Sequence, residues 1–335
     1  MNHWKETAEI FARLAELKAA GRPAALATVV RIVGSAYRRP GAKFLIEETG
    51  ETMGSVSGGC LEADVRAVAQ EVMATGKPSL RHYSTGTDED VVWGLGLGCN
   101  GLVDVFIQPA TAGPLAELAD RLRELLAADS AFAISTVLGG EQAGATTVME
   151  AAGASLGVQT SGDRQVFVEV LPPPSHLIVC GAGDDARPLV AYAADAGFRV
   201  TVVDHRQGLM QPAWFPQAAR LVLARPEEPV ELPPAGRTLA VVKTHSLNHD
   251  REWVRRLLAA GVPYVGMLGP RLRTETILRE IGREGDERVY GPVGLDLGAD
   301  GPHQVSLAIV AELLAFTAQR EPRHLAERKE AIHAG

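Results

Sequence analysis

Cysteine is scarce in this chain, with three among 335 residues. The three, Cys60, Cys99 and Cys180, are far apart and odd in number, so they make no disulfide framework. Reduced thiols and a cytoplasmic setting are the expectation. A basic excess is also missing: the formal net charge is -8. That balance argues against a general nucleic-acid binder, which needs a basic footprint. No apolar run approaches the roughly 18 residues of a membrane span. Met1 to Glu6 lead into an amphipathic pattern and do not read as a signal peptide. No internal repeat is present. The remaining composition, 46% hydrophobic and 22% charged, is ordinary for a globular protein and long enough for about two domains.

The pattern changes character at Pro172-Pro173-Pro174, since three prolines sit in neither a helix nor a central strand. The expected division is residues 1–171, residues 172–319 and a polar tail over 320–335. The first part mixes helices with strands at 25–33, 42–47, 80–84, 102–108, 132–138, 146–150 and 165–171. The second part alternates strand and helix from His176 onward, the pattern of a parallel sheet.

Within the first part, Gly54-Ser55-Val56-Ser57-Gly58-Gly59-Cys60-Leu61-Glu62 lies between a strand and a helical apolar spacing at Leu61, Val65, Val68 and Val72. Cys60 therefore falls where a small-residue loop becomes a helix. Unpaired N–H groups and the helix dipole favour a thiolate there, the form that acts as nucleophile or soft-metal ligand. A helix cap with an inert cysteine is the competing reading. Gly98-Cys99, in a second glycine-rich stretch, follows some forty residues later. Arg38, Arg39 and Lys43 offer cations on a third stretch. Together they suggest a composite site suited to a transition metal and a phosphate.

In the second part, Gly181-x-Gly183-x-x-Ala186 follows a strand, and Asp204 closes the next strand. This is the dinucleotide fingerprint in context. Asp184 and Asp185, however, stand where a pyrophosphate would rest on the helix N-terminus, and as caps they satisfy the same N–H groups. A nicotinamide dinucleotide is therefore expected to bind weakly, if at all. His245, His249 and Asp250 follow the strand ending at Lys243. They read either as metal ligands or as a polar loop whose Asp250 caps the next helix.

Gly34 to Gly41, Gly54 to Glu62 and Gly94 to Gly101 resemble the N-terminal domain of the XdhC/CoxI family. The second half resembles that family's Rossmann domain at Val200 to Asp204, Phe215 to Ala218, Thr244-His245 with Asp250, Tyr264 to Gly269 and Pro292 to Ala299. It departs from the family pattern at Asp184-Asp185, at Trp214 and at Gly269 to Arg273. The resemblance implies an α/β fold: a mixed N-terminal domain, then a Rossmann-like doubly wound parallel sheet. It implies a maturation factor more than a catalyst, one that binds molybdenum cofactor (molybdopterin). Such a factor protects the cofactor during sulfuration and delivers it to an apo molybdenum hydroxylase of the xanthine dehydrogenase type. A cysteine desulfurase would supply the sulfur, and a homodimer is expected. Cys60 becomes the lead cofactor ligand and metal ligand. Ser55, Ser57, Gly58 and Gly59 surround it, Gly98 and Cys99 come second, and Arg38 and Lys43 are supporting cations. The alternative is an NAD(P)-dependent oxidoreductase with an N-terminal substrate domain.

Overall fold

A computed structural model describes residues 4–34, 36–85, 101–128 and 130–328. The described chain divides into two compact units that meet in sequence at Pro173 and Pro174.

In the first unit, α1 (Trp4–Ala19) leads into β1 (Ala24–Gly34), β2 (Lys43–Glu47) and β3 (Thr52–Gly54). Next come α2 (Glu62–Thr75), β4 (Ser79–Thr85), β5 (Gly101–Pro109) and α3 (Gly113–Ala127). The unit closes with β6 (Phe132–Val137), β7 (Thr146–Glu150), β8 (Gly157–Ser161) and β9 (Arg164–Leu171). The strands form a five-stranded sheet in the order β3-β2-β1-β5-β4 and a four-stranded sheet in the order β7-β6-β9-β8. Every pairing in both is antiparallel.

Strand alternation decides what each face of the larger sheet meets, because successive side chains point to opposite sides. Phe44 and Ile46 of β2 and Val103, Val105 and Ile107 of β5 pack with Val65, Val68, Ala69 and Val72 of α2. Leu45, one residue out of step, packs with Ile10, Phe11 and Leu14 of α1 and with Leu115 and Leu122 of α3. Val30 and Phe106 meet Leu138 and Phe167 on this second side. Sequence spacing does not mark β3 and β8, which are edge strands short of apolar residues.

The second unit contains β10 (His176–Cys180), α4 (Ala186–Asp195), β11 (Arg199–Asp204), β12 (Arg220–Leu223) and β13 (Thr238–Val242). It continues with α5 (Leu247–Ala259), β14 (Tyr264–Met267), α6 (Arg271–Glu280), β15 (Val289–Tyr290) and α7 (Gly301–Thr317). Its sheet is parallel, in the order β12-β11-β10-β13-β14-β15. Counted from its own first strand this is 3-2-1-4-5-6, the order of a doubly wound dinucleotide fold. β10 and β13 are buried along their whole length, as strands covered on both faces must be. Helix α5 begins at Leu247, four residues before the start that apolar spacing suggests, so His249 and Asp250 lie in its first turn and not in a loop. The two-residue β15 carries too little chain to show a strand period. No helix among the described residues is long and apolar enough to cross a membrane.

Candidate functional site

The Cys60 loop is held by a local hydrogen-bond knot. The Ser57 hydroxyl accepts from the backbone N–H of Gly59 and of Leu61, each at 3.1 Å. The same hydroxyl donates to Glu62, whose other carboxylate oxygen accepts the Ser57 N–H at 2.8 Å. Burial works against a charge on Glu62, but these bonds and further backbone N–H groups outweigh it and hold the carboxyl below its ordinary range. Glu62 heads α2, where the helix dipole also favours a carboxylate. Val56 and Leu61 anchor the two ends of the loop in the core beneath.

Between those anchors the chain rises to the surface. Gly58, Gly59 and Cys60 are exposed, and Cys60 carries a free thiol. Gly59 holds a left-handed φ of 115° with open space where a side chain would stand. Gly54 enters the loop at φ 79°, and a Cβ there would lie 2.3 Å from the Lys43 carbonyl oxygen, so only glycine fits. Tyr37, itself exposed, passes 3.8 Å from where a Cβ on Gly58 would sit. The 36–41 stretch and the Cys60 loop are therefore neighbours.

The cations expected beside Cys60 have other partners. Lys43 is odd-numbered on β2, so it points away from the α2 face and towards α1 and the second sheet. Its ammonium is buried there, paired with Glu169 of β9 and bonded to the Gly41 carbonyl at 3.0 Å. Arg38 reaches Glu6 of α1, at 2.5 and 2.7 Å to its two oxygens. Arg39 is half-buried. Ser55 is half-buried beside the knot. Gly98 and Cys99 lie outside the described residues.

Ser57→Ala removes one donor and an acceptor shared by two N–H groups. The expected cost is about 1–2 kcal/mol, the worth of a helix cap. Urea denaturation of the two proteins measures it, and coincident curves would show that the knot carries no load.

In the second unit, the fingerprint glycines do what the fold requires. Gly181 has φ 120°, and a Cβ on it would lie 2.4 Å from the Lys243 carbonyl oxygen. The residues around them are committed internally. Asp204 accepts the Ala182 N–H at 2.7 Å and the Arg206 guanidinium at 2.6 and 2.9 Å. Asp185 occupies the N-cap position of α4 without capping it. Its carboxylate turns to Lys243 Nζ at 2.6 Å and His245 Nε2 at 3.2 Å. Asp184, expected as the second cap, is exposed and pairs with Arg187 at 2.8 Å. Arg187 also stacks over Trp214, 4.1 Å from the ring centre.

Burial works against the Asp204 charge, but the Arg206 guanidinium and the Ala182 and Arg206 N–H groups hold the carboxyl at about 2. That lies below the unfolded value of about 3.9. The stability it contributes is therefore complete above pH 4 and is lost as pH falls from about 4 through 2. The amount is on the order of 2 kcal/mol. Asp204→Asn should be less stable than the parent by that amount at pH 6 in urea titrations. The gap should close towards pH 3, and a gap independent of pH would contradict the assignment.

The three candidate metal ligands diverge. Consecutive helical positions point about 100° apart, and His249 and Asp250 are consecutive on α5. His249 packs edge-on against His205, with ring centres 4.6 Å apart. Asp250 turns inward to Thr244 Oγ1 at 2.6 Å and Arg273 at 2.5 Å. His245, at φ 62°, goes to Asp185. Among the described residues no group of three or more His, Cys, Asp or Glu is placed to hold a metal ion.

An antiparallel unit with an exposed thiol on a knotted glycine loop, followed by a Rossmann unit, defines a two-unit α/β chain of a specific kind. Two family profiles match it: "XdhC and CoxI family" over residues 17–84 and "XdhC Rossmann domain" over residues 177–313. The chain is 32% identical over 314 residues to a Bacillus subtilis protein described as a probable xanthine dehydrogenase component, covering 87% of this chain and 92% of that one. It is 25% identical over 309 residues to the molybdenum cofactor insertion chaperone PaoD of Escherichia coli K12, covering 90% and 86%. A crystal structure titled as a xanthine dehydrogenase from Bacillus halodurans superposes with a TM-score of 0.81 at 29% identity, covering 98% of both chains. The chain belongs to the XdhC/CoxI family.

Proposed function

We propose that this chain is an accessory protein that handles molybdenum cofactor for a xanthine dehydrogenase-type hydroxylase. In the finer form of the reading, it receives the cofactor, shields it during sulfuration and passes it to the apo-enzyme. The observation that carries this is the Cys60 loop. A thiol stands free at the surface on a loop whose shape is fixed from below by Ser57 and Glu62. Gly58 and Gly59 leave its flank without side chains, so a large planar ligand can approach the backbone. The donor set suits the cargo: thiolate sulfur is a ligand for soft and high-valent transition metals. Neither Lys43 nor Arg38 is needed to hold the loop, and each is spent on its own carboxylate.

The residues divide the work simply. Cys60 supplies the sulfur that contacts the metal or carries a sulfur atom in transit. Ser57 and Glu62 position Cys60, and Gly58 and Gly59 admit the ligand. The partners on this reading are the apo-hydroxylase and a cysteine desulfurase, and the chain acts in the cytoplasm as a homodimer. An oxidoreductase reading is less well supported, because the acidic residue that would take a ribose hydroxyl, Asp204, is saturated by Arg206 and Ala182.

The test is activation of an apo-hydroxylase of the xanthine dehydrogenase type with purified molybdenum cofactor and a cysteine desulfurase. Adding this chain should raise both the rate and the yield of active enzyme. Activation that proceeds equally without it would refute the reading.

A further inference from the structure

The Rossmann unit holds a buried charge cluster to which the handling of cofactor at Cys60 assigns no role. The sheet order reverses between β10 and β13, and in such sheets a ligand's phosphates rest there, at the N-terminus of the helix after the first strand. Here a side chain of the protein itself fills that place. Asp185 begins α4, and its carboxylate leaves the helix N–H groups unbonded and turns to two cationic partners. One oxygen accepts from Lys243 Nζ at 2.6 Å and the other faces His245 Nε2 at 3.2 Å. The Lys243 side chain is only 2% exposed, so its ammonium has exchanged water for this carboxylate. Burial lowers the affinity of Lys243 for its proton and Asp185 restores part of it. The Asp185 carboxyl stays below its ordinary range because Lys243 and His245 outweigh its own burial.

The surroundings leave the cluster little freedom. Gly181 brings the end of β10 against the backbone of Lys243, where a single Cβ would lie 2.4 Å from the carbonyl oxygen. The N–H of Ala186 is given to the Gly183 carbonyl at 2.8 Å, which removes one donor from the usual phosphate cradle. A carboxylate bridging an ammonium and an imidazole presents the same two-oxygen geometry that a phosphate would present to those donors.

We propose that Asp185 is an internal anion: it occupies the phosphate position of the Rossmann unit, holds Lys243 and His245, and closes the unit to diphosphate ligands. Removing this one carboxylate exposes a latent site for pyrophosphate built from the same two side chains. Asp184, exposed and paired with Arg187, has no part in it. The inference is independent of the Cys60 reading and can fail without it.

The experiment is thermal unfolding of the full chain over increasing sodium pyrophosphate, with titration calorimetry on the same samples. Asp185→Asn and Asp185→Ser leave the Lys243 ammonium buried and unpaired, so both should melt below the parent. Pyrophosphate should raise their melting temperatures and bind them about tenfold or more tightly than the parent, the worth of one charge-assisted hydrogen bond. The parent should respond to neither pyrophosphate nor NADP+. Asp185→Asn combined with Lys243→Gln removes both charges and should lose the response. A parent that binds pyrophosphate or NADP+ as tightly as Asp185→Asn would overturn the proposal. So would Asp185 variants whose melting pyrophosphate does not raise.

Discussion

Lys43→Met should lower the stability of the first unit by about 4 kcal/mol, the cost of leaving one partner of a buried ion pair unpaired. Lys43 is 3% exposed and Glu169 is 5% exposed. The carboxylate left behind would keep its place among Leu26, Phe106, Ile134 and Phe167, in a cavity of about 20 Å³ that has room for one water molecule. One water replaces little of the hydration that an ionised carboxylate needs. For a unit of this size the loss corresponds to a drop of about 10 °C in melting temperature. Lys43→Met combined with Glu169→Met removes both charges and should recover most of the loss, because apolar replacements of both partners are often neutral or stabilising. Melting curves of the three variants decide the matter. A single variant as stable as the parent would contradict the buried pair, and so would a double variant no better than the single one.

Cys60→Ala should have the largest effect on function and almost none on the fold. The side chain is exposed, its sulfur contributes nothing to the apolar cluster beneath α2, and the loop is tied by Ser57 and Glu62 without it. Melting should stay within about 0.5 kcal/mol of the parent, as for other surface substitutions. Activation of the apo-hydroxylase should fall by about a hundredfold or more, since no other described thiol can take over. Cys180, the other cysteine among the described residues, is fully buried, and burial pushes its thiol well above the ordinary range. Cys180→Ala should cost a small packing loss and leave activation unchanged. Cys60→Ala protein that activates at the parent rate would reduce the loop to a helix cap with an incidental thiol.

Much of this architecture is legible in the sequence, for identifiable reasons. The Rossmann unit announces itself because buried parallel strands are continuous apolar runs, and because a glycine is forced wherever β10 meets the backbone of Lys243. The start of α2 is readable from the small residues before Leu61 and the helical spacing after it. What stays hidden depends on direction in space. That Lys43 is a core residue follows from its odd place on β2, which becomes visible only when Phe44 and Ile46 are seen to face α2. The partner Glu169 lies 126 residues away, and no local pattern joins the two. The reach of Asp185 across to Lys243 has the same character: a carboxylate at a helix start reads as a cap, and the lysine that redirects it comes from a strand 58 residues on. His245, His249 and Asp250 look like a metal set because a one-dimensional spacing does not reveal that α5 has already begun. Glu62 carries a local signal that spacing could have found, a serine followed closely by a glutamate at a helix start, which is close to a capping box.

The central claim is that the thiol of Cys60, presented on its knotted loop, is what holds the cofactor. The most direct measurement is the molybdenum and pterin retained per protein after incubation with purified molybdenum cofactor and removal of unbound ligand. The parent, Cys60→Ser and Glu62→Gln would be compared at equal concentration. The account predicts retention by the parent, near-complete loss in Cys60→Ser, and an intermediate loss in Glu62→Gln, where the thiol remains but its loop is less firmly held. Retention by Cys60→Ser equal to that of the parent would contradict it.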